Sequence, residues 1–197
     1  MKREERKVQI LESSRKIFSE KGYYETYVED VIKEARVGKG TFYRHFENKE
    51  QLFIALLLHF LNEWEKMAFI DPHDLSGSNI DDSFLRLITR SFMFFAENED
   101  LCNIYLRIGP GLNRLFEPYI GEFENRMLGY IRLYLEEGVK LGRLKRGLDI
   151  EMASNMIAGA FLRVDYYYFV LKKKSPRPDF NAMAQDFFDF IMKGIQG

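Results

Sequence analysis

Apolar positions recur at three- and four-residue spacing along almost the whole chain, and no stretch alternates polar and apolar residues between hairpin turns. The pattern predicts an all-α fold. A first helix runs from about Glu4 to Lys21, with Val8, Leu11, Ser14 and Phe18 on one stripe and Gly22 as its stop. Thr26, followed three residues later by Glu29, has the spacing of a capping box, so a second helix begins there and buries Val28, Val31, Ile32 and Ala35. After Arg36-Val37-Gly38 a third short helix spans Lys39 to His45. Asn48, with Gln51 at the third helical position, then caps a long fourth helix through Leu52, Leu56, Phe60 and Trp64.

Residues 71–78 have loop composition. Beyond them the periodicity predicts helices from about Asn79 to Glu97 and from Asp100 to Ile108, then a break at Gly109-Pro110-Gly111. A long helix follows to Leu141, with Gly142 placed to close it, then one from Asp149 to about Leu171 and a last one from Asp179 to Ile195. The total is nine helices with no internal repeat. They divide into a small N-terminal domain, residues 1–48, and a larger domain, residues 49–197.

With 46% hydrophobic and 30% charged residues the chain has the balance of a soluble globular protein, and its longest apolar run, Leu52 to Leu58, is far short of the roughly 20 residues that span a bilayer. Neither a membrane span nor a secretory leader is expected, so the protein should act in the cytoplasm. Its single cysteine, Cys102, excludes an intrachain disulfide and a multi-cysteine zinc site, and reads as a small buried hydrophobe. The formal net charge is -1, so any nucleic-acid contact must be local. Residues 33–49 supply one candidate: Lys33, Arg36, Lys39, Arg44 and Lys49 against Glu34 and Glu47 leave a surplus of three positive charges. A run of this kind is more often a solvated face, so charge alone does not decide it.

The span Thr26 to Phe46 decides between them, because two short helices joined by a tight turn and braced by a third make a helix-turn-helix. Val37 and Phe42 anchor the unit inward, while Lys39, Thr41, Tyr43 and Arg44 present hydrogen-bonding ends to a major groove about 12 Å wide. Gly40 removes a side chain where a sugar-phosphate strand can approach. The start of the next helix, Asn48-Lys49, offers a phosphate clamp.

Thr26-Tyr27-Val28-Glu29-Asp30-Val31, followed by the run from Val37-Gly38-Lys39-Gly40-Thr41-Phe42-Tyr43-Arg44-His45-Phe46 through Asn48-Lys49-Glu50-Gln51-Leu52-Phe53, resembles the signature of the TetR family. The likeness covers residues of about 5 to 56. It implies a homodimeric transcriptional regulator on double-stranded operator DNA, with two N-terminal readers and a larger domain that takes a small-molecule effector and relaxes DNA binding. Positions matching Lys39, Gly40, Thr41, Tyr43, His45 and Lys49 would touch DNA, mostly its backbone. Two positions depart from the pattern. Arg36 stands where the family usually has a turn glycine and φ is often positive, and its guanidinium can add a phosphate contact. Tyr27 replaces a small hydroxyl residue, and its phenol can still donate to a phosphate.

Aromatic residues crowd the larger domain, which holds most of the 18 phenylalanines and the one tryptophan. Phe60, Trp64, Met67, Phe92, Phe95, Tyr105, Phe123, Met127, Tyr130 and Phe161 are the candidates for an effector pocket, with Asn103, Arg107, Asn125, Arg163 and Asp165 as polar groups. Such walls suit an apolar or amphipathic effector. The last two helices carry apolar stripes, Ala153, Met156, Ile157, Ala160, Phe161 and Val164 on one and Phe180, Met183, Ala184, Phe187, Phe188, Ile191 and Ile195 on the other, which predicts a homodimer through them. Rival readings are weaker. Of the three histidines, His59 with Glu63 alone has one-face helical spacing for a metal pair, and no nucleophile or nucleotide motif has a supporting context, so neither catalysis nor a cofactor is expected. A helix-turn-helix that docks protein remains the other alternative. Repression by covering a promoter needs no surface for the polymerase and is the simpler mode of action.

Overall fold

The computed structural model describes residues 3–68, 79–108, 114–172 and 178–195, and among them the structure is nine α-helices with no strand. The helices are α1 (Arg3–Lys21), α2 (Val28–Glu34), α3 (Lys39–Tyr43), α4 (Lys49–Ala68), α5 (Ile80–Glu97), α6 (Glu99–Asn103), α7 (Glu117–Lys140), α8 (Ile150–Asp165) and α9 (Phe180–Ile195). Two of them continue with wider, π-type turns, α6 into Ile104–Ile108 and α8 into Tyr166–Leu171. The expected Gly109-Pro110-Gly111 break and the loop at 71–78 lie outside the described residues.

The helix ends follow local chemistry. α1 stops at Gly22, whose N–H makes the last helical bond to the Phe18 carbonyl at 2.9 Å and whose φ of 78° then turns the chain away from the helix. Gly142, at φ 73°, closes α7, with the Arg143 N–H returning to the Gly138 carbonyl at 3.0 Å. Asn48 caps α4 through its side-chain oxygen, 2.8 Å from the Gln51 N–H, and Asp149 caps α8 the same way at the Met152 N–H. α2 corrects the expectation of a Thr26–Glu29 box. Its cap is one residue later, at Tyr27, whose N–H donates to Asp30 Oδ2 at 3.2 Å. The Thr26 hydroxyl instead donates back to the Gly22 carbonyl at 2.6 Å, which closes the turn between α1 and α2.

The described chain clusters into two compact units. One holds Met1–Glu63 with Asn98–Ile120, the other Trp64–Glu97 with Gly121–Gly197, so the division falls inside α4 and near the start of α7. In the first unit Ile10, Leu11, Ser14, Ile17 and Phe18 form the buried face of α1, while Val8 is exposed. Val31, Ala35, Phe42 and Phe46 of the reader are also buried, as are Leu52, Phe53, Leu56 and Leu57 of α4. Phe53 and Tyr23 both meet the ring of Phe116, at 5.0 and 4.8 Å between centroids.

The second unit is built on aromatic stacking. Phe84 of α5 lies flat on Tyr134 of α7, with 4.0 Å between centroids and 6° between planes, and the Tyr134 hydroxyl donates to Asp81 at 3.0 Å. Phe92, Phe161 and Phe187 bring α5, α8 and α9 together at 4.7 to 6.0 Å. Each such ring removes a large apolar surface from water, which is the main favourable term in packing these helices. No helix among the described residues is long and apolar enough to cross a membrane.

Candidate nucleic-acid interface and effector cavity

The turn between α2 and α3 sets the direction of the reader. The Arg36 N–H returns to the Lys33 carbonyl and the Val37 N–H to the Ile32 carbonyl, both at 3.2 Å, with Arg36 at φ 51°. This pair of bonds is the Schellman arrangement, in which the residue after the helix cap takes the left-handed conformation that glycine tolerates best. Arg36 therefore carries the strain expected of that position, and its side chain is exposed. Gly38 then starts α3, accepting from the N–H groups of Thr41 and Phe42.

Phe42 is fully buried and Val37 half-buried, so the inner face of α3 is the expected one. On the outer side Lys39, Gly40, Tyr43 and Arg44 are exposed, with Thr41 and His45 half-exposed at its edge. Lys39 reaches toward Glu29 at 3.6 Å and its ammonium lies 5.9 Å from the Tyr43 ring. A contact that open is worth little, so Lys39 stays available to another anion. Gly40 has an ordinary backbone conformation, and a Cβ built on it would meet nothing within 4 Å. Neither the turn geometry nor the packing of this chain asks for glycine there. Tyr27, 64% exposed at the start of α2, presents its phenol on the surface.

Lys49 differs from the other candidates. Its ammonium donates to three backbone carbonyls, those of Tyr23 at 2.8 Å, Thr26 at 2.9 Å and Tyr24 at 3.2 Å, and it lies 4.5 Å from the centroid of the Tyr23 ring. Burial pushes its pKa down, with Glu25 opposing.

A narrow cavity of about 30 Å³ lies in the second unit, lined by Trp64, Phe84, Leu87, Ile88, Ser91, Met127, Tyr130, Ile131, Ile157, Phe161 and Phe187. Ser91 accepts from the Trp64 indole N–H at 3.3 Å, so one of the few polar groups in the wall is already engaged. Of the sequence candidates Trp64, Met127, Tyr130 and Phe161 line the cavity. Phe92, Phe95 and Phe123 pack against those side chains, at 4.7 Å from Phe161, 6.1 Å from Phe161 and 5.0 Å from Trp64. Met67 is half-buried on α4. Phe60 and Tyr105 fall in the first unit, where they stack at 4.2 Å and the Tyr105 hydroxyl donates to the Leu57 carbonyl. The sequence reading missed the α5 wall, although Phe84, Leu87, Ile88 and Ser91 stand at the one-face spacing that marks an inward stripe.

The polar candidates do not gather around this cavity. Asn103 donates to the Ser19 carbonyl at 2.8 Å, Asn125 is exposed, and Arg163 lies over the Tyr166 ring at 5.5 Å. The Arg107 side chain is outside the described set. Asp165 is wholly buried on α8, and neither carboxylate oxygen has a hydrogen-bond partner among the described residues. Burial pushes its pKa well above the usual carboxylate range. His59 lies 3.3 Å from Glu12, and among the described residues no group of three or more His, Cys, Asp or Glu side chains is gathered for a metal.

Two further hollows lie along α8 and α9. One is lined by Met152, Met156, Ala160, Phe190 and Ile195 among others, the second by Val164, Tyr168, Met183 and Phe190 among others. Phe190 is 77% exposed and Met156 67%. Of the α9 stripe named from the sequence, Ala184, Phe187 and Ile191 are buried within the unit, while Phe180, Met183, Phe188 and Ile195 are half-buried.

Residues 10–56 match the family model described as "Bacterial regulatory proteins, tetR family". Over nearly the whole chain the protein is 24% identical to the fatty acid metabolism regulator protein of Bacillus subtilis (strain 168), covering 95% of this chain and 94% of the relative. It is 26% identical to the HTH-type transcriptional repressor KstR2 of Rhodococcus jostii (strain RHA1), over 96% and 91% of the two chains. The fold is that of the transcriptional regulator FadR from Bacillus subtilis, solved in complex with stearoyl-CoA, with a TM-score of 0.82 at 23% identity over 95% of this chain and 98% of that one.

Proposed function

The chain belongs to the TetR family of transcriptional regulators, and on that premise we propose that it is a repressor that binds a palindromic operator as a homodimer and is released by an effector with a long apolar chain. In this reading the protein acts in the cytoplasm, catalyses no reaction, and divides its work between a reader in residues 1–48 and an effector and dimerisation part in residues 49–197.

The observation that carries the effector class is the cavity. Its wall is aromatic and aliphatic, and the Ser91 hydroxyl already serves Trp64. A polar ligand would lose hydration there with only the Ser91 and Tyr130 hydroxyls to replace it, whereas an alkyl chain has no such loss. The FadR relative in complex with stearoyl-CoA supports an acyl-coenzyme A as the chemical class. The chain's own side chains supply recognition in two places. Trp64, Phe84, Met127, Ile157, Phe161 and their neighbours would part to enclose the alkyl portion, since the cavity they line has a volume of only about 30 Å³. Lys39, Thr41 and Tyr43 of α3, and Arg44 just after it, would enter the major groove, with Tyr27, Arg36 and His45 toward the phosphates.

The reader needs a two-fold partner to meet a palindrome. Met152 and Met156 of α8 and Phe190 of α9 are large, apolar and exposed, and they supply the surface on which a second copy would sit, giving a four-helix contact.

A gel-shift experiment with genomic fragments tests the reading. A sequence-specific shift that stearoyl-CoA abolishes is expected. If stearoyl-CoA binds by calorimetry and leaves operator affinity unchanged, the effector assignment is wrong, because a ligand shifts the equilibrium only by its difference in affinity for the two states. The absence of any specific shift would overturn DNA recognition itself.

A further inference from the structure

We propose that Lys49 is a positioning residue of the DNA reader and not one of its phosphate ligands. The inference rests on the reading of α2 and α3 as a DNA reader, and it assigns their orientation to a side chain at the first position of α4.

An ammonium group has three N–H donors and no acceptor. Those of Lys49 meet three carbonyls, of Tyr23, Tyr24 and Thr26, all within 3.2 Å. These carbonyls belong to the segment that joins α1 to α2, where the chain has just turned through Gly22 at φ 78°. The Tyr23 ring lies beneath the same ammonium and is itself held by Phe53 of α4 at 5.1 Å. The start of α4 is thereby tied to the entrance of α2. Since α3 follows α2 through the short Arg36-Val37 turn, this tie also holds the recognition helix. To reach a phosphate, Lys49 would have to give up at least one carbonyl and leave it short of a partner.

The two roles differ in what salt does. Each phosphate neutralised by a protein cation adds about 0.9 to the slope of log affinity against log salt, whereas a positioning residue adds nothing to it. They also differ in what arginine can replace. A planar guanidinium keeps the charge and binds phosphate well, but its flat fork does not match three carbonyls converging on one point.

The test measures binding of a short random-sequence duplex over a salt series by the wild-type protein and by the variants Lys49→Met, Lys49→Arg and, as a phosphate-facing control, Arg36→Ala. The expected result is an unchanged slope for Lys49→Met with weaker binding at every salt concentration, a slope reduced by about one in Arg36→Ala, and no rescue by Lys49→Arg. A slope reduced by about one in Lys49→Met, restored by Lys49→Arg, would overturn the proposal. If Lys49→Met does not fold, ¹⁵N spectra of the lysine ammonium groups in the wild-type protein decide. A Lys49 ammonium signal protected from exchange without DNA and unmoved when the duplex binds supports the positioning role, and one that exchanges rapidly or shifts on binding refutes it. A wild-type protein that shows no salt-dependent binding would instead remove the DNA-binding reading on which the inference rests.

Discussion

Arg15 of α1 holds Asp100 of α6 with two parallel hydrogen bonds, Nε to Oδ2 at 2.5 Å and Nη2 to Oδ1 at 2.6 Å. The same guanidinium also reaches Asn98 at 3.2 Å and Glu12 at 3.0 Å. A forked pair of this kind fixes orientation as well as distance, so α6 is set against the first helix of the reader's own unit. Replacing Asp100 by Ala should lower unfolding free energy by about 1 to 3 kcal/mol, because Arg15 is half-buried and loses its principal partner. Urea denaturation of Asp100→Ala, Arg15→Ala and the double variant measures it. Additive losses in that cycle would show that the pair contributes no coupling.

Gly40 gives the clearest separation of folding from binding. A Cβ there enters open space, so Gly40→Ala should raise helix stability by up to about 1 kcal/mol. If the room exists for a DNA strand, the same variant should bind its operator roughly tenfold more weakly, a cost of about 1.4 kcal/mol. Thermal melting and a gel shift on one preparation test both halves. Unimpaired binding would place the DNA elsewhere.

At Arg36 the direction of the stability change is the same but the cause is backbone strain. Glycine accepts φ 51° without the clash that a Cβ brings, so Arg36→Gly should stabilise the protein by about 1 kcal/mol. Loss of the guanidinium should at the same time reduce the salt slope of DNA binding if Arg36 meets a phosphate. A destabilised Arg36→Gly variant would mean that the side chain contributes more than its conformation costs.

Association should respond to the outer faces of α8 and α9. Phe190→Glu together with Met156→Glu is expected to give folded monomers by light scattering with unchanged helical content. Phe187→Glu should instead unfold the second unit, since that ring packs against Phe92 and Phe161. A double variant that stays dimeric would move the interface to another surface.

Asp165 predicts an unusual pH dependence. Its folded pKa is raised, so at pH values above the unfolded pKa of about 3.9 the folded state holds a proton that the unfolded state has released. The stability this group contributes is full at lower pH and is lost as pH rises toward the folded pKa, with a slope near 1.4 kcal/mol per pH unit across that window. Glu12 and Asp30, whose pKa values are lowered chiefly by hydrogen bonds from His59 and Lys21, act in the opposite sense at acid pH. The prediction is therefore for a difference: wild type minus Asp165→Asn, followed by chemical denaturation from pH 4 upward. A flat difference would show that the carboxylate is ionised in the folded protein.

Local chemistry settled much of this molecule before any packing is considered. Gly22 and Gly142 end helices because they alone accept positive φ cheaply, Asn48 begins one because its side chain can bond the Gln51 N–H, and the apolar period lays out nine helices in order. The reader was legible for the same reason: its short helices and tight turn are local features, and Phe42 goes inward and Lys39 outward on period alone. What remained for tertiary structure is every choice between equivalent apolar or cationic groups. Periodicity marks α9 as apolar on a wide arc, but the partners on α5 and α8 decide that Phe187 and Ile191 are buried while Phe190 is exposed. The α5 wall of the cavity, and the placing of Phe60 and Tyr105 in the other unit, follow from which helices become neighbours. Lys49 shows the limit most plainly. A lysine at a helix start reads as a phosphate ligand, yet three carbonyls distant by more than twenty positions in the chain converge on its ammonium, and only the folded chain brings them there.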